Sequence, residues 1–326
     1  MTSPRTSIIM PVYNTANSVV TAIESVLKQT DLDFELLIIN DHSPDNADEV
    51  IKKYLEITPD NRIRYITNHK NLGLAATRNR GMKIARGQWL AFIDSDDAYK
   101  PSFLETLHAS ATDDIDIVAC GLETVYEDGT RKPRPGKLKG TFTGREAMIA
   151  LMRDELTPYA CNKIFRKSAV GSQEFPLINR VEDAGFSIAV YKTARYVKEI
   201  EDRLYLYTVN PLSITWGSTP PITEMNRFMD YLKDTTGAHE GDEEEQNALA
   251  VSWVLTYLNG AQSALRLNPE TSGSYLGECR KALRLPIIQR AIKSGSMYGV
   301  AAVLLKVSPW IYRKVYRLYI KRTYGL

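Results

Sequence analysis

Cysteine and histidine are scarce in this chain of 326 residues, which contains three cysteines and four histidines. The sequence has no Cys-x-x-Cys pair and no two histidines at helical spacing. A zinc site or a disulfide framework therefore has little to be built from. Sparse cysteine also favours a reducing compartment, and we expect the cytoplasm.

Long apolar runs are missing as well. No uninterrupted apolar stretch reaches the roughly 18 residues that a membrane-spanning helix needs. The first seven residues lead straight into a strand-like run, without the apolar region and cleavage site of a secretion signal. We therefore expect a chain that does not cross a bilayer. A composition of 44% apolar and 25% charged residues excludes disordered and fibrous proteins and predicts a sizeable buried core.

Acidic residues are absent from the last 47 residues. Residues 280–326 contain 11 Lys or Arg and no Asp or Glu, whereas residues 1–279 contain 30 basic and 39 acidic side chains. The net charge is thus +11 in the first range and −9 in the second. The sequence predicts a basic segment attached to an acidic body.

The end of this basic segment has the pattern of an amphipathic helix. Arg313, Arg317 and Lys321 recur at intervals of four, and Trp310, several tyrosines and aliphatic residues lie between them. This pattern suits an anionic membrane surface. Packing within the protein, or against another subunit in an oligomer, fits equally well. Aromatic residues between basic ones can also bind single-stranded nucleic acid, but we do not expect that partner.

The first 110 residues repeat one unit: an apolar run, a polar turn and an amphipathic stretch of helical period. The apolar runs are nearly continuous, which is typical of a parallel sheet buried on both faces. Asn17 and Asn71 are the expected N-caps of two of the helices. The pattern predicts strands over residues 6–12, 34–39, 62–67 and 89–93, and helices over residues 18–29, 47–56 and 72–86.

The remainder of the chain is less regular. We expect an α/β domain over residues 1–215, with a nucleotide half (1–110) and an acceptor half (111–215). A helical C-terminal region follows over residues 216–326, after a linker rich in Gly, Ser and Pro at 216–221. The elements predicted here are strands 115–126 and 195–209, a loop 131–139, helices 145–154, 182–192, 222–235, 246–266 and 274–294, and a last helical segment broken by Pro309.

Polar residues follow three of the predicted strands, at the edge where open α/β sheets bind ligands. The runs are Pro11-Val12-Tyr13-Asn14, Asn40-Asp41-His42-Ser43 and Asp94-Ser95-Asp96-Asp97. Three carboxylates within four residues suit a divalent cation that bridges to phosphate, although a solvated acidic turn is the alternative. Asp41 could cap the helix that follows it or accept an N–H from a nucleobase. Arg78 faces the start of its helix, where its charge suits a phosphate or a buried aspartate.

Four segments of the chain, taken together, are specific for one protein family. SIIMPVYN, IINDHS, NLGLAATRNRG and FIDSDD, over residues 7–97, resemble the nucleotide-sugar domain of family 2 glycosyltransferases, which are inverting enzymes of the GT-A fold. A fainter similarity to bacterial cell-surface polysaccharide and teichoic acid transferases continues through residues 161–165, 180–186 and 205–214. The resemblance implies a Rossmann-like, mostly parallel sheet followed by helices. Asn210-Pro211 departs from it, because relatives often carry an arginine there.

The resemblance also implies roles for particular residues. Asp96 would hold a manganese or magnesium ion, and Asp183, next to Glu182, would be the general base. Pro11 and Tyr13 would line the uracil of a UDP-sugar, Asp41 would accept from its N3–H, and Arg78 would support the base or the phosphates. The donor-binding set is Pro11, Val12, Tyr13, Asp41, Arg78, Asp94 and Ser95.

The implied reaction is inverting transfer of a sugar to a hydroxyl of a cell-surface polysaccharide or a lipid-linked glycan. The expected location is the cytoplasm, with the inner face of the cell membrane as a docking surface. A non-catalytic carbohydrate- or lipid-binding protein of the same fold is the alternative that the sequence leaves open.

Overall fold

The computed structural model describes residues 3–134, 138–209, 217–267 and 270–324, with the backbone alone for residues 319–324. Contacts divide the chain into two compact units. The first consists of Met1–Met148, Leu156–Leu177 and Glu182–Val209, and the second of Ile149–Glu155, Ile178–Val181 and Asn210–Leu326.

The first unit is built on a sheet whose first four strands are parallel. They are β1 (Thr6–Val12), β2 (Phe34–Asn40), β3 (Ile63–Thr67) and β4 (Trp89–Phe92), in the spatial order β3-β2-β1-β4. Every residue of β1, β2 and β4 is buried. Continuous apolar runs bury both faces of such strands, so the prediction of a parallel sheet is confirmed.

Three helices connect these strands: α1 (Val19–Leu27), α2 (Ala47–Ile57) and α3 (Leu74–Ile84). The predicted N-caps are wrong. Ser18 precedes α1 and Gly73 precedes α3, and neither cap has a side-chain hydrogen bond to the helix. The Asn71 Oδ1 atom instead accepts a bond from the Gly73 amide at 2.9 Å.

The sheet continues from β4 with mixed strand directions. The remaining strands are β5 (Ala98–Tyr99), β6 (Ile115–Val125), β7 (Arg131–Arg134), β8 (Gly140–Thr143), β9 (Lys163–Arg166) and β10 (Tyr196–Thr208), in the order β4-β9-β6-β10-β5. Strand β9 is antiparallel to both neighbours, and β6 is parallel to β10. The prediction of a loop over residues 131–139 is wrong for β7, which pairs with β6. The four β7 residues, Arg-Lys-Pro-Arg, are all exposed and mostly charged. The alternation of apolar residues that predicts a strand is therefore missing here.

The first unit also contains short helices beside this part of the sheet: α4 (Phe103–Ala109), α6 (Lys167–Val170) and α7 (Glu182–Thr193). Helix α5 (Gly144–Met152) begins directly after Thr143. The Glu146 carboxylate accepts from the Thr143 amide at 2.8 Å, and the Glu146 amide donates to the Thr143 hydroxyl at 3.3 Å. This reciprocal pair satisfies two amides at the helix start.

From residue 222 onwards the regular elements described in the second unit are helices: α8 (Ile222–Thr236), α9 (Glu243–Leu267), α10 (Gly273–Ala282), α11 (Leu285–Lys293), α12 (Met297–Val307) and α13 (Pro309–Tyr324). The single helix predicted over residues 274–294 is two helices. Arg284 is extended between them, and Pro286 lies in the first turn of α11, where its missing N–H leaves no helical hydrogen bond unmade. No helix in the described part of the chain is both long and apolar enough to span a membrane. Trp216, the start of the predicted linker, lies outside the described residues.

Gly81 sets the distance between α3 and the sheet. A Cβ atom at this position would lie 2.5 Å from Ile9 Cγ2 and 3.0 Å from Ile39 Cδ1. The absence of a side chain at Gly81 therefore allows α3 to pack closely on β1 and β2.

We predict that Gly81→Ala lowers the free energy of unfolding by about 1–3 kcal/mol, because the new methyl group overpacks a full core. Urea unfolding measures this. Gly277→Ala, in α10, is the matched control, because a Cβ atom added there would have no neighbour within 4 Å. We expect the control to gain about 0.5–1 kcal/mol from helix propensity. Equal effects at the two positions would contradict the close-packing explanation.

Candidate active site

The loops after β1 and β2 are tied together at the carboxyl edge of the sheet. The Asp41 amide donates to the Val12 carbonyl at 2.8 Å, and the Asn14 amide donates to the Ser43 hydroxyl at 2.7 Å. Asn14 and His42 each have a φ of 55°, a left-handed conformation that non-glycine residues seldom adopt. Such strain is typical of loops held in place at functional sites.

Asp41 is 3% exposed and organises the loop before α3. Its Oδ1 atom accepts from Asn68 Nδ2 at 2.7 Å and from the Leu72 amide at 2.8 Å, and its Oδ2 atom accepts from the Gly73 amide at 2.8 Å. Asp41 thus binds amides next to α3 and does not cap α2, the helix that follows it. One further acceptor position remains on Oδ2. Recognition of a nucleobase N–H by Asp41 stays a prediction.

The acidic run after β4 is only partly accessible. Asp97 is buried: its Oδ2 atom accepts from the Tyr205 hydroxyl at 2.6 Å and its Oδ1 atom from the Thr208 amide at 2.7 Å. Burial and the charges of Asp94 and Asp96 raise the pKa of Asp97 well above its ordinary value. Asp97 therefore anchors β10 and is no part of a solvated turn.

Ser95, Asp94 and Asp96, the other residues of this run, differ in their exposure. Ser95 is buried, and its hydroxyl pairs with the Thr15 hydroxyl at 2.7 Å. Asp94 and Asp96 keep intermediate exposure. Of the earlier run, Pro11 and Val12 are buried in the sheet, and Tyr13 is 47% exposed.

Arg78 lies at the centre of the site and is 1% exposed. Its Nη2 atom donates to Asp94 Oδ1 at 2.7 Å, and its Nη1 atom donates to Asp183 Oδ1 at 2.5 Å and approaches Glu182 Oε1 at 3.5 Å. Its guanidinium carbon is 5.3 Å from the centroid of the Phe175 ring. Of the two partners that the sequence allows, phosphate or buried aspartate, the structure shows aspartates. A contact of Arg78 with a nucleotide-sugar substrate stays a prediction.

The carboxylates at the start of α7 have shifted pKa values. Burial and the charge of Asp183 raise the pKa of Glu182 to about 7, against the opposing effect of Arg78. The Glu182 Oε2 atom accepts no hydrogen bond from the described residues. Burial also raises the pKa of Asp183, again opposed by Arg78. A carboxylate whose pKa is raised holds a proton more readily than a free one, which makes it a better general base.

Arg78 is itself held in its charged form. Burial lowers the pKa of its guanidinium, but the charges of Asp183, Asp94 and Glu182 outweigh that effect and raise the pKa above its ordinary value. The cluster therefore contains one permanent cation and three carboxylates. Because that balance is negative, a further proton or cation near the carboxylates would be stabilised.

Lys163 is a residue of the site to which the sequence patterns assign no role, although it lies within the fainter similarity over residues 161–165. This side chain is fully buried. Its ammonium group donates to the Thr157 carbonyl at 2.8 Å, to Asn162 Oδ1 at 3.0 Å and to the Tyr159 carbonyl. It thereby holds the loop whose Ala160 amide donates to Asp183 Oδ2 at 3.3 Å. A lysine is usually exposed, and nothing in the sequence around Lys163 predicts its burial, so no pattern points to this role.

The described residues contain no group of three or more His, Cys, Asp or Glu arranged to hold a metal ion. Asp94 and Asp96 could supply one or two carboxylate oxygens. Magnesium in phosphate sites is often held by one or two carboxylates together with substrate phosphates and water. The residues present therefore fit an ion that a bound diphosphate would share. Asn210-Pro211 and the end of the fainter similarity, residues 213–214, lie outside the described residues.

The family model for glycosyl transferase family 2 matches residues 7–172, which is half of the chain. The chain belongs to this family. The matched region contains all of β1 except Thr6, the whole of β2 to β4, and all of the residues that the sequence assigns to donor binding.

Curated relatives resemble this family 2 chain over about two thirds of its length. EpsH of Bacillus subtilis is 34% identical over 222 residues, which are 66% of this chain and 63% of EpsH. The glycosyltransferase YibD of Escherichia coli, which is uncharacterised, is 37% identical over 238 residues, 70% of this chain and 68% of YibD. The match thus spans less than two thirds of EpsH.

Solved structures show the same fold. S. aureus TarS 1-349 in complex with UDP-GlcNAc has a TM-score of 0.70 at 19% identity, over 99% of this chain and 93% of that one. The mannosyltransferase PcManGT of Pyrobaculum calidifontis, in complex with GDP-Man and Mn²⁺, has a TM-score of 0.53 at 15% identity, over 94% of this chain and 88% of that one. The expected GT-A fold of this family 2 chain is therefore confirmed.

We predict that Arg78→Met lowers the free energy of unfolding at pH 7 by about 3–5 kcal/mol, because buried carboxylates lose their counter-charge. The loss should be smaller at pH 5, where protonation can neutralise those carboxylates. Urea unfolding at both pH values tests this. Lys28→Met is the control, since it removes a solvent-exposed ion pair with Glu24 that contributes little to stability. A deficit independent of pH would contradict the electrostatic explanation.

Proposed function

We propose that this chain is an inverting glycosyltransferase that moves a sugar from a UDP-sugar to a hydroxyl of a cell-surface polysaccharide or a lipid-linked glycan. One observation carries the proposal: the Arg78 guanidinium bridges Asp94, after β4, and Asp183, at the start of α7. The bridge brings the run assigned to the donor within reach of the carboxylate assigned to the acceptor. Membership of family 2 supports the reaction class.

The donor side supports a uridine nucleotide. Tyr13 offers an exposed ring beside the ends of β1 and β2, and Asp41 has a remaining acceptor position for the N3–H of uracil. The complexes of TarS with UDP and with UDP-GlcNAc show that this fold accommodates such a donor. Pro11, Val12 and Ser95 are buried below the loops, so we assign them to shaping the site.

Asp183 takes the proton from the acceptor hydroxyl in the proposed mechanism. Arg78 and the Ala160 amide fix the two oxygens of Asp183, and burial raises its pKa above that of a free aspartate. The hydroxyl oxygen then attacks the anomeric carbon as the bond to the diphosphate breaks, with inversion. Asp96, together with Asp94, would hold a divalent ion, manganese or magnesium, and such an ion would supply charge stabilisation for the departing diphosphate.

The cytoplasm remains our proposed location for this reaction. Cys120, Cys161 and Cys279 are all buried free thiols. Burial raises the pKa of each, which favours the unreactive thiol form. Buried free thiols are consistent with a reducing compartment.

We predict that Asp96→Ala abolishes metal-dependent binding of UDP and leaves the fold intact, because the substitution removes the proposed metal ligand. Calorimetric titration with UDP, with manganese and with EDTA, measures the change. Asp113→Ala, an exposed acidic residue outside the site, is the control and should bind as the parent does. If Asp96→Ala binds UDP normally and EDTA affects neither protein, the metal assignment is wrong.

We predict that Asp183→Asn lowers turnover by roughly two to four orders of magnitude, the scale of general-base loss, and hardly changes donor affinity. Glu182→Gln is the comparison, and it should retain most of the rate. In the parent, the rate should rise with pH, since the base must be deprotonated and its raised pKa moves that titration towards neutral pH. The readout is glycosyl transfer or, without an acceptor, release of UDP from UDP-sugars.

Other outcomes would change the assignment. An active Asp183→Asn protein with an inactive Glu182→Gln protein would make Glu182 the base. A parent that binds UDP-sugars but neither transfers nor hydrolyses them would favour the non-catalytic binding protein.

A further inference from the structure

The exposed apolar side chains are concentrated near the C-terminus. Of the 16 large apolar side chains that are exposed in the described residues, ten lie within residues 285–318. Most of them lie on α12 and α13 at intervals of three and four, which places them along one face of each helix. We call these side chains the apolar stripe: Met297, Val300, Val303 and Val307 on α12, and Trp310, Ile311, Val315 and Leu318 on α13.

The opposite faces of the same two helices are packed within the second unit. Ala302 and Leu305 on α12 are fully buried. Tyr312 and Tyr316 on α13 are also buried, with stacked rings whose centroids are 6.3 Å apart. The helices are therefore held by their other faces, and the apolar stripe is not the packing face of a terminal helix.

Basic side chains accompany the apolar stripe. Lys314 and Arg317 are exposed on α13, and the Lys314 ammonium group lies 3.9 Å from the centroid of the Trp310 ring. The whole range 280–326 carries 11 basic and no acidic residues. Two copies that met through this face would oppose like charges. A partner with an anionic surface and an apolar interior would complement both the basic side chains and the apolar stripe.

We propose that the apolar stripe and its basic residues dock this chain on an anionic lipid surface. Trp310 and Leu318 enter the boundary between headgroups and acyl chains, and Lys314 and Arg317 contact lipid phosphates. Helices with one apolar face, a cationic polar face and interfacial tryptophan bind membranes in this way. The docking does not require that the chain transfer sugar, so its test is independent of the proposed function.

Co-sedimentation of the full chain with vesicles measures the docking. We expect binding to vesicles of phosphatidylcholine and phosphatidylglycerol at 3:1, a steep loss with added salt, and no binding to phosphatidylcholine alone. Lys314→Glu with Arg317→Glu should weaken partitioning by about 30-fold or more. Lys53→Glu with Lys70→Glu changes the net charge of the chain equally at exposed positions elsewhere and should have little effect.

A second pair of variants tests insertion. Trp310→Gln with Leu318→Gln removes side chains that are 63% and 70% exposed, and should weaken binding without unfolding the protein. Leu32→Gln with Ile57→Gln, at positions that are 63% and 71% exposed, is the matched control. Circular dichroism verifies that each variant is folded.

Three results would overturn the proposal. The first is a full chain that ignores anionic vesicles at low salt. The second is an equal loss of binding in the control variants. The third is a dimer in light scattering that dissociates on Trp310→Gln with Leu318→Gln while lipid binding persists, because the stripe would then face a second copy.

Discussion

The guanidinium of Arg78 is the charge on which the proposed site depends. Its two Nη atoms bind carboxylates that are 16 and 105 residues away in sequence, Asp94 and Asp183. Removing a buried cation from such a cluster costs far more than removing a surface ion pair, because the carboxylates left behind are partly or fully shielded from water. The same charge sets the protonation of both carboxyls at the start of α7, since it opposes the rise in pKa that burial causes.

Further contacts hold the elements around Arg78 in place. The Ala160 amide donates to Asp183, and buried Lys163 holds the loop that contains Ala160. Arg78 is on α3, which packs closely on the sheet because Gly81 has no side chain. The loop before this helix is bound by Asp41. A parallel sheet edge, a close helix and two anchored loops thus place the carboxylates around one cation.

The sequence predicts most where the physical signal is local. Strands β1 and β2 are uniformly apolar, and their predicted bounds agree with the structure within one residue at each end. Prediction of secondary structure fails where an element depends on contacts remote in sequence or has no pattern of apolar residues. Strand β7 is fully exposed and exists because β6 supplies its hydrogen bonds. Pro286 lies in the first turn of α11, a position that favours the start of a new helix. Apolar periodicity alone does not detect this boundary between α10 and α11.

Continuous apolar runs and short motifs are local properties of the chain, and they were enough to predict the parallel sheet, the family and the set of polar residues at the strand ends. What those residues contact became known from the folded structure. It buried Asp97 against Tyr205, directed Asp41 to the amides before α3, and gave Arg78 two aspartates as partners. Which carboxylate pairs with a cation, and which is buried, depends on distances between segments remote in sequence, and those distances exist only in the folded chain.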